Sequence, residues 1–148
     1  MNYLTLAVFS VAVSLTGASA FAGDTPAPEG AQVYFVNLED GAVVSSPVKV
    51  VFGLSGMGVA PAGTEKENTG HHHILINRPA LGEGPDGADE LNYGLPADDN
   101  HKHFGGGQTE VMLDLAPGEH TLQLVLGDLN HVPHDPPVAS DVITITVE

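Results

Sequence analysis

Eight histidines in a chain without cysteine are the residues best suited to chemistry in this sequence. They stand against only four lysines and arginines, and imidazole both titrates near neutral pH and coordinates transition metals. They are His71, His72 and His73, then His101 and His103, then His120, and finally His131 and His134. The clustering predicts a metal-binding function.

Histidines two positions apart occur in the first two clusters. In an extended chain such residues point to the same face roughly 7 Å apart, close enough for their imidazoles to converge on one ion. This spacing pairs His71 with His73, and His101 with His103. His72 points the other way and is expected to form hydrogen bonds in the core.

The predicted ligand set consists of both histidine pairs and the last histidine cluster. Its members are His71, His73, His101, His103, His131 and His134. A simple site needs about four ligands, so these six histidines cannot all bind one ion. His120 is isolated after a turn and is predicted to be structural.

The metal is predicted from the donor atoms available. Imidazole and carboxylate without thiolate suit copper(II) first and zinc(II) second, whereas a blue copper site requires cysteine. Only two methionines, Met57 and Met112, follow residue 22, where the predicted signal sequence ends. This argues against a methionine-rich copper(I) site. A possible copper or zinc ion is therefore the expected cofactor.

Other functions remain open at this point. The histidines could form hydrogen-bonded loop networks in an immunoglobulin-like ligand-binding or adhesion module. A metal-dependent enzyme would need an open coordination position and a base such as Asp128. If the histidines lie near carboxylates, a charge switch between pH 5 and 7 is a further expectation.

Catalytic motifs are scarce in the sequence. Gly53–Met57 lacks the last glycine of a nucleophile elbow, and Gly105–Gly107 lacks the Lys-Ser/Thr of a phosphate-binding loop. A non-enzymatic protein is therefore expected.

The first residues are typical of a secretory signal. Met1–Ala22 is uncharged, has an apolar stretch over Leu4–Leu15, and ends in small residues over Ala18–Ala22 that fit a cleavage site. The apolar stretch is about 12 residues, short of the ~20 needed to span a bilayer. Residues 23–30 are predicted to be a flexible lead-in and residues 31–148 a single domain. A periplasmic or secreted protein without membrane insertion after processing is expected.

The charge balance limits the partners. Nineteen acidic residues against four basic ones give a formal net charge of -15, so nucleic acid and anionic membranes are poor partners. A metal cation remains compatible with this charge, and no protein partner is indicated. Without cysteines, the core of an exported domain must hold without disulfides.

Short strands must position these histidines. The alternating or β-branched segments are Gln32–Val36, Val43–Val44, Val48–Leu54, His72–Ile76, Glu110–Leu115, Thr121–Leu126 and Asp141–Val147. No segment has helical periodicity, and 18 glycines and 11 prolines punctuate the chain. About seven short strands predict an all-β fold, an immunoglobulin-like antiparallel β-sandwich, with a small closed barrel as the alternative.

One long segment interrupts the strands. Residues 77–108 have little strand character and contain several histidines and aspartates, so they are predicted to form the site loop. One short strand is expected within it, near Leu91–Tyr93.

Three stretches of sequence carry a family resemblance. They are TGHHHILI at 69–76, HKHFGGGQTE at 101–110 and PGEHTLQLVLGD at 117–128, followed by His131 and PPVAS at 136–140. Together they resemble a family of small exported bacterial proteins known only as a domain of unknown function. The resemblance runs from about Val33 to Val147 and implies an exported single domain. It implies no activity, so the metal prediction rests on the histidines.

Overall fold

A computed structural model of the protein describes residues 25–148. The predicted signal sequence, Met1–Ala22, lies outside these residues. The elements are β1 (Gln32–Phe35), β2 (Ala42–Val44), β3 (Val48–Ser55), β4 (Gly58–Val59), β5 (Thr69–Ile76), α1 (Gly87–Asn92), β6 (His101–His103), β7 (Glu110–Leu113), β8 (Gly118–Gly127) and β9 (Ile143–Val147). Within the described part of the chain, no helix is long and apolar enough to cross a membrane.

The strands form two sheets. The smaller has the order β1-β3-β7 and is antiparallel throughout. The larger has the order β2-β9-β8-β5, and the outer edge of β5 pairs first with β4 and then with β6. The all-β prediction is confirmed, although two pairs, β2 with β9 and β4 with β5, are parallel. The extra strands β4 and β6 have two and three residues, too few for alternation to reveal them.

The main core lies between the two sheets. Val50 and Phe52 of the smaller sheet belong to the same apolar cluster as Ile74, Leu124 and Ile145 of the larger. Fully burying each such side chain contributes about 1.5–3 kcal/mol. Because no cysteine is present, this packing holds the sheets together without disulfides.

The other face of β5 is also covered. Leu75 packs there with Leu95, from the long connection after β5, and with Val125 of β8. His72 points instead toward the main core, where its ring centroid lies 4.9 Å from that of Phe52. Strand alternation thus separates His72 from its two neighbours as predicted, but both faces of the strand are buried. The expectation that His72 forms hydrogen bonds in the core is wrong, because within residues 25–148 neither of its buried ring nitrogens has a hydrogen-bond partner.

The connection between β5 and β7 contains α1 and β6. The short strand predicted near Leu91–Tyr93 is wrong, because Leu91 lies in α1. A six-residue helix is too short to show an amphipathic period in sequence. A Cβ at Gly87 would overlap the Gly82 carbonyl, so only glycine allows this close backbone approach.

Candidate metal centre

Three elements bring four histidines together. His71 and His73 lie on the same face of β5, and His73 is the register partner of His103 on β6. His71 pairs with Gly127 at the end of β8, and the chain then turns back to place His131 beside it. The cluster therefore depends on strand register as well as on sequence spacing.

The ring nitrogens of these four residues converge. One nitrogen from each of His71, His73, His103 and His131 lies within 4.8 Å of the other three. The shortest contacts are 3.0 Å, from His71 Nε2 to His73 Nε2 and from His71 Nε2 to His131 Nδ1. The His103 and His131 ring centroids are 4.5 Å apart.

These separations match the size of a metal coordination sphere. Four nitrogens bound to one zinc ion at about 2.0–2.1 Å in a tetrahedron lie roughly 3.3 Å from one another. The observed range, from 3.0 Å to 4.8 Å, brackets that value. The four histidines could therefore hold one metal ion after small side-chain adjustments.

Burial and close packing define the walls of the cluster. His71 and His73 have no exposed surface, while His103 and His131 are half-buried. A Cβ on Gly127 would lie 2.8 Å from His73 Nε2, and one on Gly105 would overlap the His103 ring. Glycine at these two positions leaves the space that the rings occupy.

Burial also favours the neutral form of His71, His73 and His103. It lowers the pKa of His73 to about 2 and that of His71 to about 4, and repulsion among the clustered histidines adds to both shifts. The pKa of His103 is lowered by burial and by His131. Neutral imidazoles retain a lone pair for a metal at neutral pH.

The predicted charge switch between pH 5 and 7 does not apply to the three consecutive histidines. Burial lowers the pKa of His72 to about 4 as well, so all three values lie below that range.

Hydrogen bonding within the cluster is incomplete. A nitrogen of a neutral imidazole carries either one hydrogen or one lone pair, so His71 Nε2 cannot satisfy both of its 3.0 Å contacts. Within residues 25–148, the buried Nε2 of His103 has no hydrogen-bond partner. An unsatisfied buried polar atom costs about 1–3 kcal/mol. The cluster is therefore not a self-satisfied hydrogen-bond network.

His101 lies outside the four-histidine cluster. It is opposite Leu75 on β5, whereas His103 is opposite His73. Its Nδ1 lies 3.0 Å from Asp98 Oδ1 and its Nε2 lies 3.3 Å from Glu90 Oε1. The Glu90 carboxylate also accepts hydrogen bonds from Arg78 Nε and Nη2, at 3.0 Å and 2.7 Å. His101 is thus part of an ionic network that ties α1 to β6.

His134 also lies outside the cluster and has a different environment. It is 1% exposed, and its ring nitrogens each lie 3.3 Å from a backbone carbonyl, those of Leu126 and Thr69. His120, expected to be structural, contacts the Asn77 amide and the Ala116 carbonyl. These contacts hold loop and strand backbone in place.

The structure adds residues that spacing did not identify. Gly127 ends the apolar strand β8 and makes room for His73, and Gly105 makes room for His103. Asp128, considered above only as a base, organises the turn that carries His131. A glycine closing an apolar strand next to a histidine-containing segment is the signal that would have pointed to Gly127.

Comparison with known proteins gives a family match. A family model described as a domain of unknown function (DUF4399) matches residues 50–148, which include all four clustered histidines. No curated protein and no solved structure matches the chain. The predicted resemblance to a family of unknown function is confirmed.

Proposed function

We propose that this chain, which belongs to the DUF4399 family of domains of unknown function, is an exported, non-enzymatic metal-binding domain. The proposal rests on the chain's own residues. The domain takes one transition-metal ion, copper(II) first and zinc(II) second. The ligands are His71, His73, His103 and His131.

The convergence of four imidazole nitrogens within 4.8 Å carries this proposal. Two of the four rings, His71 and His73, are fully buried and their pKa values are lowered, so these two donors are neutral and shielded from water at neutral pH. The ring nitrogens of His101 and His134, outside the cluster, lie beside carboxylates or backbone carbonyls. The clustered nitrogens instead face one another.

The donor set supports the choice of metal. Imidazole suits copper and zinc, and the affinity of a nitrogen site for divalent ions is highest for copper(II) in the first-row series. Zinc(II) is second because it readily accepts four nitrogen donors in a tetrahedron.

The number of ligands supports a non-enzymatic role. Catalytic zinc sites commonly use three protein ligands and leave a fourth position for water or substrate. Four histidines fill a tetrahedral site, and the burial of His71 and His73 limits access from the sheet side. Export is supported by the sequence of Met1–Ala22.

Calorimetry on the full chain, produced without a polyhistidine tag, tests the proposal. We expect one copper(II) or zinc(II) ion per chain with a Kd tighter than ~10 μM. His103→Ala and His131→Ala remove half-buried ligands and should weaken binding at least about 100-fold, near 2.7 kcal/mol.

His120→Ala is the matched control, since it removes an imidazole outside the cluster. Wild-type binding weaker than ~10 μM would refute the proposal. An equal loss of affinity in His120→Ala and His103→Ala would also refute it.

A further inference from the structure

Asp128 is a buried carboxylate next to the histidine cluster. It is 4% exposed and directly follows Gly127, the register partner of His71. It belongs to no catalytic motif in the sequence, and it is not among the four clustered ligands. Its position at the junction between β8 and the His131 turn is what distinguishes it.

Both carboxylate oxygens of Asp128 accept hydrogen bonds. Oδ1 accepts from the backbone N–H of Asn130 at 2.8 Å and of Val132 at 3.0 Å. Oδ2 accepts from the Thr25 hydroxyl at 2.7 Å. One buried side chain therefore joins the turn to the N-terminal part of the described chain.

The backbone of Asp128 closes the same turn. Its N–H donates to the Val132 carbonyl at 2.8 Å, and its carbonyl accepts from the His131 N–H at 3.1 Å. Hydrogen bonds from Asp128 thus reach His131 and both of its neighbours, Asn130 and Val132.

This bonding matters because His131 has an unusual backbone. Its φ is 69°, in the left-handed region that residues other than glycine seldom occupy. Such a conformation persists when surrounding contacts determine it. The turn organised by Asp128 supplies those contacts, and the conformation directs the His131 ring toward His71.

The charge of Asp128 also bears on the cluster. The four ligands are imidazoles, so they bring no negative charge to a bound cation. The Asp128 carboxylate is buried and belongs to the residue after Gly127, whose register partner is His71, so it places a negative charge beside the cluster. A negative charge in this position favours a metal cation held by the cluster.

We propose that Asp128 is the positioning residue of the metal centre and that its charge makes the centre favour a divalent over a monovalent ion. This inference rests on the proposed metal-binding function. Because Coulomb attraction is proportional to the charge of the ion, removing the carboxylate weakens binding of a dication more than that of a monocation.

Asp128→Asn tests the charge, since an amide oxygen can still accept from Asn130 and Val132. We expect zinc(II) affinity to fall about 10-fold, the lower end of the effect of residues that support metal ligands. Copper(I) affinity, measured anaerobically under reducing conditions, should fall only about 3-fold, because a monocation loses half the Coulomb energy that a dication loses. The ratio of the two affinities is a readout that a merely structural role would not change.

Asp135→Asn is the matched control. Asp135 lies in the same segment and is exposed, and its substitution removes the same unit of charge. We expect both affinities to stay at wild-type values in this variant.

Asp128→Ala and Thr25→Val test the positioning role. Asp128→Ala removes both the acceptors and the charge, so it should weaken both ions, copper(I) more than Asp128→Asn does, and zinc(II) by about 10- to 100-fold. Thr25→Val removes one hydrogen bond and should give a smaller loss for both ions. If Asp128→Ala does not fold, Asp128→Asn and Thr25→Val still decide the question.

Each outcome separates the two proposals. Wild-type affinities in Asp128→Asn and Thr25→Val would overturn the inference while leaving the metal site in place. Equal losses of zinc(II) and copper(I) in Asp128→Asn would overturn the charge preference. A wild-type protein that binds neither ion would refute the proposed function, and this inference with it.

Discussion

His71 and His73 present their Nε2 atoms to each other at 3.0 Å from one face of β5, although both side chains are fully buried. Two neutral imidazoles this close can share only one hydrogen bond. Protonation of His73 is opposed by burial and by His71, and protonation of His71 is opposed by burial, His131 and His103. Strand β5 therefore carries two nitrogen donors that are already oriented toward each other.

Acidification should destabilise the metal-free protein. The folded-state pKa values of His71 and His73, about 4 and about 2, lie below the usual 6.5, so the unfolded chain binds more protons at acidic pH. Stability is therefore complete above about pH 6.5 and falls as the pH drops toward 4 and below. Urea denaturation in EDTA at pH 7.5 and 5.0 should show a lower midpoint at pH 5.0.

His73→Gln should reduce this pH dependence, while His120→Gln, outside the cluster, should retain it. Equal midpoints for the wild type at the two pH values would contradict the assignment.

Metal should raise the melting temperature. An ion that binds only the folded state adds about 2.7 kcal/mol at 100 times its Kd, which corresponds to roughly 10 °C for a domain of this size. Thermal melts with zinc(II) and with EDTA provide the comparison. Unchanged melting would favour the binding module in which the histidines are structural.

Gly127→Ala should weaken metal binding while the strands stay paired. The new Cβ would lie 2.8 Å from His73 Nε2 and 3.3 Å from the His131 Cα, and such overpacking costs about 1–3 kcal/mol. Calorimetry should show about 10-fold or greater loss of affinity, with an unchanged far-ultraviolet circular dichroism spectrum.

Gly58→Ala is the control for Gly127→Ala. It also lies on a strand paired with β5, but the nearest atom to its new Cβ is an ordinary 3.5 Å contact with Thr69. Equal effects of the two substitutions would argue against a specific role for the space at Gly127.

His101→Ala should reduce stability and preserve metal binding. The His101 ring contacts Asp98 and Glu90 rather than the cluster, and losing a buried partner costs about 1–3 kcal/mol. Denaturation should report that loss, and calorimetry should still give one ion per chain. Loss of metal in a folded His101→Ala protein would contradict the separation of the two sites.

The fold class and the direction of the β5 side chains could be predicted from the sequence. Alternation places His72 on one face and His71 with His73 on the other, and the structure has this arrangement. The full burial of His71 and His73 could not be predicted in this way. It depends on irregular segments that cover the outer face, and these have no period to detect.

The choice among the later histidines could not be predicted either. His101 and His103 have the same spacing as the first pair, and only the register between β5 and β6 sets His103 opposite His73. His131 and His134 differ through the turn at Asp128, whose hydrogen bonds connect residues that the sequence places far apart, such as Thr25. Long-range pairing of this kind leaves no local pattern.

The proposed ligands lie partly on strands and partly on a turn, and this difference bears on the speed of metal exchange. β5 is hydrogen-bonded to β8 on one side and to β6 on the other, so its two histidines move only if a sheet opens. His131 lies on a turn outside the strands, so its movement breaks hydrogen bonds of the turn but no strand pair. We expect the sheet to set the equilibrium affinity and the turn to set the dissociation rate, so that an acceptor molecule would draw the ion out from the His131 side.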